Sequence, residues 1–242
     1  MKRFVFVFVL MLALGFLFIA AGFRLFQRFH KPAPVTLQQK SQHMIQFLNK
    51  GGDEEGQCTA TAIGPHAILT AEHCNDKDGD DHYDTITLDL STRHYALLAE
   101  THDSRDHVIY LIDGPAFTNY LSPDELINVK PAISGEQVYI YGDGRGNYPP
   151  RRIDGKINDE ANSADISDVD KNQQITWYTL GIIYGDSGSA IYTNDGRVVG
   201  LITYGMSDGG AAGFALNFSE QVILKAHTFS IEQVETDLVK HN

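Results

Sequence analysis

Basic residues are scarce in this chain, in which 19 Lys and Arg residues stand against 31 Asp and Glu residues and give a formal net charge of −12. Nucleic acids and anionic membrane surfaces attract basic patches, so this balance argues against either of them as the main binding partner. The sequence also lacks internal repeats and long low-complexity tracts. With 242 residues, 43% of them hydrophobic, the chain can bury one two-lobed core but is too short for several independent domains.

Charge is absent altogether from residues 4–23, an apolar run that follows Met1-Lys2-Arg3. As a helix, this run would span about 30 Å, the thickness of a bilayer's hydrocarbon core, whereas the apolar part of a cleaved signal usually has about 7 to 15 residues. We therefore predict a membrane anchor within residues 1–30. A cleaved signal peptide is the alternative, because Ala20-Ala21-Gly22 offers small residues at a possible cleavage point. A buried core helix fits less well, since the run has no polar face.

Residues 31–50 are predicted to form a linker with a short helix. Lys31-Pro32-Ala33-Pro34 is stiff and extended, because proline fixes φ and biases the preceding residue away from helix. A partial apolar stripe over Thr36 to Lys50 predicts the helix, and Gly51-Gly52 would end it. The main domain would then occupy residues 51–242.

Short strands separated by turns dominate the chain from Cys58 onward, since β-branched and apolar segments alternate there with Gly, Pro, Asp and Asn. The first lobe, about residues 51–121, has such segments at 58–63, 67–71, 85–90, 95–99 and 107–112. The second lobe, about residues 135–242, has them at 136–141, 152–157, 174–180, 189–193, 197–204 and 213–218. Ser122 to Ser134 would connect the lobes, and Ser219 to Leu238 would form a closing helix. The pattern predicts an all-β domain with a C-terminal helix.

Two short runs carry residues that are chemically weak without each other: Thr70-Ala71-Glu72-His73-Cys74 and Gly185-Asp186-Ser187-Gly188-Ser189. A serine hydroxyl is a poor nucleophile unless a nearby base accepts its proton, and His73 could be that base for Ser187. The glycines on each side of Ser187 suit a sharp turn that aims backbone N–H groups at one point, as an oxyanion hole requires. Alone, each run could be an ordinary histidine or an ordinary polar turn.

Together, and in this order, the two runs resemble the signatures around the base and the nucleophile of the trypsin/chymotrypsin-like serine proteases. The resemblance implies two six-stranded antiparallel β-barrels with an active site in the cleft between them. It also implies a serine endopeptidase that hydrolyses proteins or peptides through a Ser-His-Asp triad and an acyl-enzyme. No metal or organic cofactor is needed for this chemistry.

The third member of the triad should be an aspartate that orients His73 and stabilises the imidazolium. In the resembled family this aspartate opens an apolar strand, and Asp106 stands directly before the run His107 to Ile112. Asp103 and Asp113 are the rivals, the first in a polar turn and the second at the far end of the strand. We favour Asp106.

The resemblance also assigns the residues that would hold the substrate. Gly185 and Ser187 would supply the oxyanion N–H groups, and Thr203-Tyr204-Gly205 would pair with the substrate backbone. Gly181 matches the floor of the specificity pocket, where a glycine brings no charge. With Ala211 and Ala212 on the wall, we expect a preference for a small or apolar side chain at the cleavage point.

The only two cysteines, Cys58 and Cys74, match a disulfide that pins the loop of the base in the resembled family. A bridge favours an exported domain, so we expect the globular part outside the cytoplasm, periplasmic or extracellular, and either membrane-anchored or secreted after signal cleavage. Secreted zymogens of the family carry an activation site that this chain lacks before Gln57. The partner of Asp186 is therefore open, and activity without proteolytic activation is the simpler hypothesis.

Other functions stay open at this stage. The chain could be a catalytically silent binding or scaffold module on the same fold, or an esterase that uses the same triad. The acidic run Asn75 to Asp81 raises a calcium-dependent surface protein as a further alternative. Its glycine and acids do not follow EF-hand spacing, so we interpret this run as a solvated turn and predict no metal site.

Overall fold

The computed structural model describes residues 35–48, 54–75, 83–146, 148–162, 174–205 and 210–231. Within them, twelve strands form two closed antiparallel barrels of six strands each. The first barrel contains β1 Gln42–Leu48, β2 Glu54–Gly64, β3 Ala67–Ala71, β4 Thr85–Leu88, β5 Tyr95–His102 and β6 His107–Ile112, in the order β1-β2-β3-β6-β5-β4. The second contains β7 Gln137–Gly142, β8 Arg151–Asn162, β9 Gln174–Tyr178, β10 Ala190–Thr193, β11 Val198–Gly205 and β12 Ala211–Phe214, in the order β10-β11-β12-β9-β8-β7. The predicted pair of barrels is confirmed.

Each barrel has its own apolar interior, and a third cluster joins the two. Phe47, Ile68 and Tyr110 lie in the first interior, and Ile140, Ile191 and Ile202 lie in the second. The joining cluster takes side chains from both barrels and from the C-terminal helix, among them Leu69, Tyr139, Tyr192, Leu201 and Ile223. Burial of this shared cluster holds the barrels against each other, because removing apolar area from water stabilises by about 25 cal/mol per Å².

Three short helices accompany the barrels in the described residues: α1 Leu37–Lys40, α2 Pro123–Ile127 and α3 Glu220–Thr228. The helix α2 lies in the predicted connection between the lobes. The predicted C-terminal helix is confirmed, capped at its start by the Ser219 hydroxyl, which accepts from the Val222 N–H. It ends at Thr228, earlier than predicted, and residues 232–242 lie outside the described residues.

The prediction of a helix over Thr36 to Lys50 is wrong beyond Lys40. The chain turns there into β1, which pairs with β2 on one side and with β4 on the other, so the first barrel begins at Gln42. A bulge between Gln46 and Phe47 breaks the alternation of the strand, and the buried positions then recur with a spacing that resembles a helical stripe. The strand structure of residues 42–48 is therefore set by pairing with the two neighbouring strands and not by the local sequence pattern.

The predicted membrane anchor, residues 4–23, lies outside the described residues. Among the residues that are described, none of the helices has the length and apolar character needed to cross a bilayer.

Candidate active site

Asp106 and His73 are joined by two hydrogen bonds. The backbone N–H of His73 donates to Asp106 Oδ1 at 2.8 Å, and His73 Nδ1 lies 2.7 Å from Asp106 Oδ2. Pairing of β3 with β6 brings them together, since Ala71 lies opposite His107 and the Glu72 N–H donates to the Asp106 carbonyl. The ring's Nδ1 proton is thus committed to the carboxylate, which leaves Nε2 as the atom that can accept a proton.

The backbone of Asp106 adopts a left-handed conformation, with φ at 60°. Aspartate tolerates this region better than most residues do, although it is still less favourable than the right-handed one. The conformation lets the carbonyl and the carboxylate of one residue hold two consecutive N–H groups of the turn that carries His73. The less favourable backbone conformation of Asp106 is therefore linked to the position in which it holds the His73 imidazole.

The two rival aspartates lie elsewhere. Asp103 accepts from His107 Nδ1 at 2.8 Å and from the Asn217 N–H at 2.9 Å, so it links the first barrel to the chain after β12. Burial acts to raise the pKa of Asp103, but hydrogen bonding and the charge of His107 outweigh it and hold this pKa below its usual value. Asp113 is exposed at the end of β6. Of the three candidates, only Asp106 is hydrogen-bonded to His73 in the described residues.

The loop of residues 184–187 packs directly on the elements that lead to His73. Thr59 donates its backbone N–H to the Ser187 carbonyl at 2.9 Å. Gly188 lies so close to β3 that a Cβ there would be 2.2 Å from Thr70 Oγ1 and 3.0 Å from the Ala71 nitrogen. Only a residue without a Cβ can lie this close to β3, which explains why a glycine follows Ser187. His73, with 37% of its side chain exposed, and the half-buried Ser187 are both accessible.

The Ser187 hydroxyl makes no hydrogen bond to any described residue, His73 included. Such bonds are often long in the free state of an enzyme and shorten when substrate is bound. The arrangement therefore offers a half-buried Ser187 on a loop packed against β3, and an imidazole at the end of β3 whose Nδ1 is already bound to a carboxylate.

The carbonyls of the 184–187 loop are all engaged. Tyr184 accepts from the Arg145 N–H at 2.9 Å, Gly185 from Thr59 Oγ1 at 2.8 Å, and Asp186 from the Ser189 N–H at 3.1 Å. A trans peptide directs its N–H opposite to its carbonyl, so the N–H groups of Gly185 and Ser187 point away from these partners. Among the described residues no backbone carbonyl accepts from either of them. Two unpaired donors next to the Ser187 hydroxyl can receive an oxyanion.

Asp186, whose partner the sequence left open, is fully buried and pairs with Arg151. The distance from Arg151 Nη2 to Asp186 Oδ2 is 2.6 Å, and the N–H groups of Gly144 and Ile183 donate to the same carboxylate at 2.9 and 2.8 Å. Burial raises the pKa of Asp186, and these donors and the guanidinium oppose that rise. A cation from β8 thus fixes the residue before Ser187.

The residues expected to pair with the substrate backbone lie at the end of β11. Tyr204 is half-buried, and its ring is stacked on His73 with the centroids 6.1 Å apart. Thr203 is buried, whereas Gly205 is exposed and pairs with Ala211.

The pocket residues divide between surface and interior. Gly181 is exposed, and no atom lies within 4 Å of the position its Cβ would take. The side chain of Ile182 approaches Gly205 to 3.6 Å, measured to the position of an added Cβ. Ala211 and Ala212 are fully buried in β12. Both alanine side chains belong to buried apolar clusters of the second barrel and not to an exposed pocket wall, where they were expected.

Cys58 on β2 and Cys74, three residues beyond the end of β3 and one beyond His73, form the predicted disulfide, with their Cα atoms 6.2 Å apart. It ties the turn of His73 to the neighbouring strand. No group of three metal-ligating side chains occurs in the described residues. Of the acidic run Asn75 to Asp81, only Asn75 is described. Its side-chain amide donates a hydrogen bond to the Tyr110 hydroxyl and accepts one from the Tyr83 backbone N–H.

Sequence reasoning missed the residues that support the 184–187 loop from outside the two motifs. These are Thr59, Asp143, Gly144, Arg145 and Arg151. Thr59 follows a cysteine and Arg151 follows two prolines, and neither context carries a functional signal. Their roles arise from contacts between distant parts of the chain, which no local pattern reports.

The fold has relatives among solved structures. Rv3671c protease from M. tuberculosis, in its active form, superposes with a TM-score of 0.58 at 15% identity, covering 76% of this chain and 82% of that one. The inactive form superposes with a TM-score of 0.57 at 17% identity, covering 76% and 90%. A Glu endopeptidase in complex with MPD gives 0.55 at 20% identity, covering 80% and 90%. These likenesses show the shared two-barrel fold.

At the level of sequence, no curated protein matches the chain. A family model described as trypsin-like peptidase domain matches residues 58–201, a segment that includes His73, Asp106 and Ser187. Since the match covers more than half of the chain, this protein belongs to the trypsin-like peptidase domain family.

Proposed function

We propose that this protein is a serine endopeptidase in which Ser187 is the nucleophile, His73 the general base and Asp106 the residue that orients His73. The Ser187 oxygen attacks the scissile carbonyl while its proton passes to His73 Nε2. The same proton then goes to the leaving amine, which departs and leaves an acyl-enzyme on Ser187. Water, deprotonated by His73, attacks the acyl group and releases the new carboxyl end.

The bidentate contact between Asp106 and His73 is the observation that carries this proposal. A carboxylate at 2.7 Å from Nδ1 fixes the tautomer and stabilises the imidazolium formed when the serine proton is taken. The packing of Gly188 on Thr70 and Ala71 supports the nearness of the nucleophile loop to the base. Such positioning is worth several kcal/mol of the barrier in enzymes of this kind.

The free N–H groups of Gly185 and Ser187 support their role as the oxyanion hole. The carbonyls that could otherwise point into the site are held by Arg145, Thr59 and Ser189. Donors that are fixed before reaction need no reorganisation as the negative charge develops. Removing one such donor typically costs about 10²- to 10³-fold in kcat.

Activity without proteolytic activation is part of the proposal. The Arg151 guanidinium supplies in cis the positive charge that Asp186 needs, so no new amino terminus has to be generated. The intact full chain should therefore be active as synthesised. Protein that stays inactive until its N-terminal part is trimmed would reject this part of the proposal.

We further propose that the cleavage point carries a small or apolar residue. The exposed glycine at 181 and the approach of Ile182 to Gly205 support this preference, because neither offers a charge to a charged substrate side chain. A profile of the peptides cut from a mixed library tests it. Cleavage confined to sites after Lys, Arg, Asp or Glu would contradict it.

The location proposed for the protein is the outer side of a membrane, with residues 4–23 as the anchor. The length of that apolar run and the Cys58–Cys74 bridge support it, since disulfides persist in oxidising compartments. Extraction of membranes with alkaline carbonate and mass spectrometry of the mature N-terminus test it together. A soluble product that begins after Gly22 would show signal cleavage instead.

The direct test of the activity is digestion of an unfolded protein substrate by the full chain and by its Ser187→Ala variant. We expect peptide products from the wild-type protein and none from the variant. Hydrolysis of small esters without any peptide cleavage would identify an esterase, and absence of both activities would favour a silent binding module.

A further inference from the structure

Asp143 is a buried acid that the proposed mechanism does not use. It follows β7, has no exposed surface, and neither of its carboxylate oxygens has a hydrogen-bond partner among the described residues. An ionised carboxylate without a donor or a cation is costly to bury, so the group responds by holding its proton. Burial, with the negative charges of Asp89 and Asp186, raises the pKa of Asp143 to about 8.

The backbone around Asp143 is the support on which the 184–187 loop rests. The Asp143 N–H donates to Thr59 Oγ1 at 3.0 Å, and the same hydroxyl donates to the Gly185 carbonyl. The Asp143 carbonyl accepts from Gln57 Nε2 at 3.0 Å. One hydroxyl therefore links Asp143 to the Gly185–Asp186 peptide, which lies between the two N–H groups that would bind the oxyanion.

The two residues after Asp143 continue this support. The Gly144 N–H donates to Asp186 Oδ1, and the Arg145 N–H donates to the Tyr184 carbonyl. The N–H groups of Gly144 and Arg145 thus hold the 184–187 loop directly, and that of Asp143 holds it through the Thr59 hydroxyl. A shift of the Asp143 side chain would move all three donors, because they belong to one short stretch of backbone.

We propose that Asp143 is a positioning residue for the 184–187 loop, which it supports only while its carboxyl group carries a proton. The proposal rests on the assignment of Gly185 and Ser187 as the oxyanion hole. Loss of the proton places a negative charge where the described residues offer it no donor, and the 142–146 stretch must then shift to bring water or a cation to it. The oxyanion N–H groups lose their alignment as a result.

The two negative charges that act on Asp143, those of Asp89 and Asp186, both raise its pKa. Asp89 lies in the turn after β4 and contacts His43, while Asp186 pairs with Arg151, and among the described residues neither His43 nor Arg151 bonds to the Asp143 carboxyl group. Tyr148, beyond Arg145, also interacts with Asp89 and Asp143.

The experiment compares kcat and KM of the full-length wild-type protein with those of Asp143→Asn between pH 6 and pH 10, using one peptide substrate. At pH 6.5 the two kcat values should agree within about twofold, because the amide mimics the neutral acid. At pH 9 only about one wild-type molecule in ten keeps the proton, so kcat of the variant should be about tenfold higher. KM should change less than kcat, since the oxyanion forms after binding.

A second readout does not depend on activity. Because the pKa of this acid is higher in the folded protein than in the unfolded chain, wild-type stability falls as pH rises from about 4 to about 8 and then levels off. The melting temperature of Asp143→Asn should therefore exceed that of the wild type by a margin that widens up to pH 8. The melting temperature of Asp143→Leu, which also has no charge at this position, should show the same widening difference from the wild type. The control is Asp154→Asn, a change at an exposed position on β8, whose melting temperature should vary with pH as that of the wild type does.

Coincident alkaline limbs of kcat for wild type and Asp143→Asn would overturn the proposal, as would a melting difference that does not vary with pH. Active-site labelling at pH 7 with a fluorophosphonate separates this failure from that of the proposed function. If wild type and variant are both labelled, only the role of Asp143 is lost. If neither is labelled, the proposed function falls and this proposal falls with it.

Discussion

Asp106 holds His73 at two points, through the backbone N–H at 2.8 Å and through the ring at 2.7 Å. Replacing Asp106 by Asn keeps the shape but puts an amide donor opposite Nδ1, which favours the wrong tautomer of the ring. We expect kcat for a peptide substrate to fall by about 10⁴-fold, with little change in melting temperature.

The matched control for that change is Asp113→Asn, because Asp113 is an exposed acid at the other end of the same strand, β6. Its kcat should equal that of the wild type. An Asp106→Asn variant that turns over at the wild-type rate would move the orienting role to another residue.

Arg151 is the only side chain seen to neutralise Asp186 in the described residues. Arg151→Met keeps an unbranched apolar stem and leaves a buried carboxylate without its cation, which typically costs about 3 kcal/mol. We expect a lower free energy of unfolding in urea and a kcat reduced by at least about tenfold, because Asp186 precedes the nucleophile.

Two further variants make the Arg151 experiment specific. Arg152→Met removes an exposed cation from the next position and should leave kcat unchanged. In Arg151→Met combined with Asp186→Asn, the second change removes the stranded charge and should recover part of the lost stability. Additive losses in the double variant would show that the pair is not coupled.

Gly188 and Gly135 have the same backbone conformation, with φ at 81°, but different surroundings. An added Cβ at Gly188 would lie 2.2 Å from Thr70 Oγ1, whereas at Gly135 it would meet no atom within 4 Å. Gly135→Ala should therefore cost only the conformational term of about 1 to 2 kcal/mol. Gly188→Ala should cost more and should also abolish activity, since it separates Ser187 from β3.

Equal unfolding free energies for the two alanine variants, measured in urea, would contradict the close contact between the loop and β3. Retention of full activity in Gly188→Ala would contradict it as well.

Asp103 gives a prediction about acid stability. Burial acts to raise its pKa, but His107 and backbone donors bring it below the usual 3.8. A lowered pKa means that this carboxylate stabilises the fold above about pH 4 and that its contribution is lost as pH falls below that value. The free energy of unfolding of Asp103→Asn should therefore lie below that of the wild type at pH 5 and converge on it in acid.

Asp154→Asn, at an exposed position, serves as the comparison in the same titration. If the gap between Asp103→Asn and the wild type stayed constant down to pH 2, the link between Asp103 and acid stability would be wrong.

Much of the fold could be predicted from the sequence because turn residues punctuate it regularly. The bounds predicted for β3 and β6 agree with the structure, since Pro, Asp and Gly delimit these apolar runs. The helix predicted over Thr36 to Lys50 failed, because β1 owes its structure to pairing with β2 and β4 and its bulge disturbs the alternation on which a strand prediction depends.

The candidate site likewise contains residues that could be predicted from the sequence and residues that could not. His73 and Ser187 stand in motifs that can be read locally, and Asp106 was favoured because an apolar strand follows it. Arg151 could not be predicted, because its contact with Asp186 joins residues that are 35 positions apart and neither lies in a pattern that names the other. Asp143 could not be predicted either, since its importance comes from its burial and from the lack of partners for its carboxylate.

Covalent labelling of the folded, full-length protein with a fluorophosphonate at pH 7 tests the central claim most directly. We expect mass spectrometry to find one adduct, on the peptide that contains Ser187, with labelling abolished in Ser187→Ala, strongly slowed in His73→Gln and absent after denaturation. An adduct on a different residue, or no adduct on the folded wild-type protein, would contradict the claim that His73 activates Ser187.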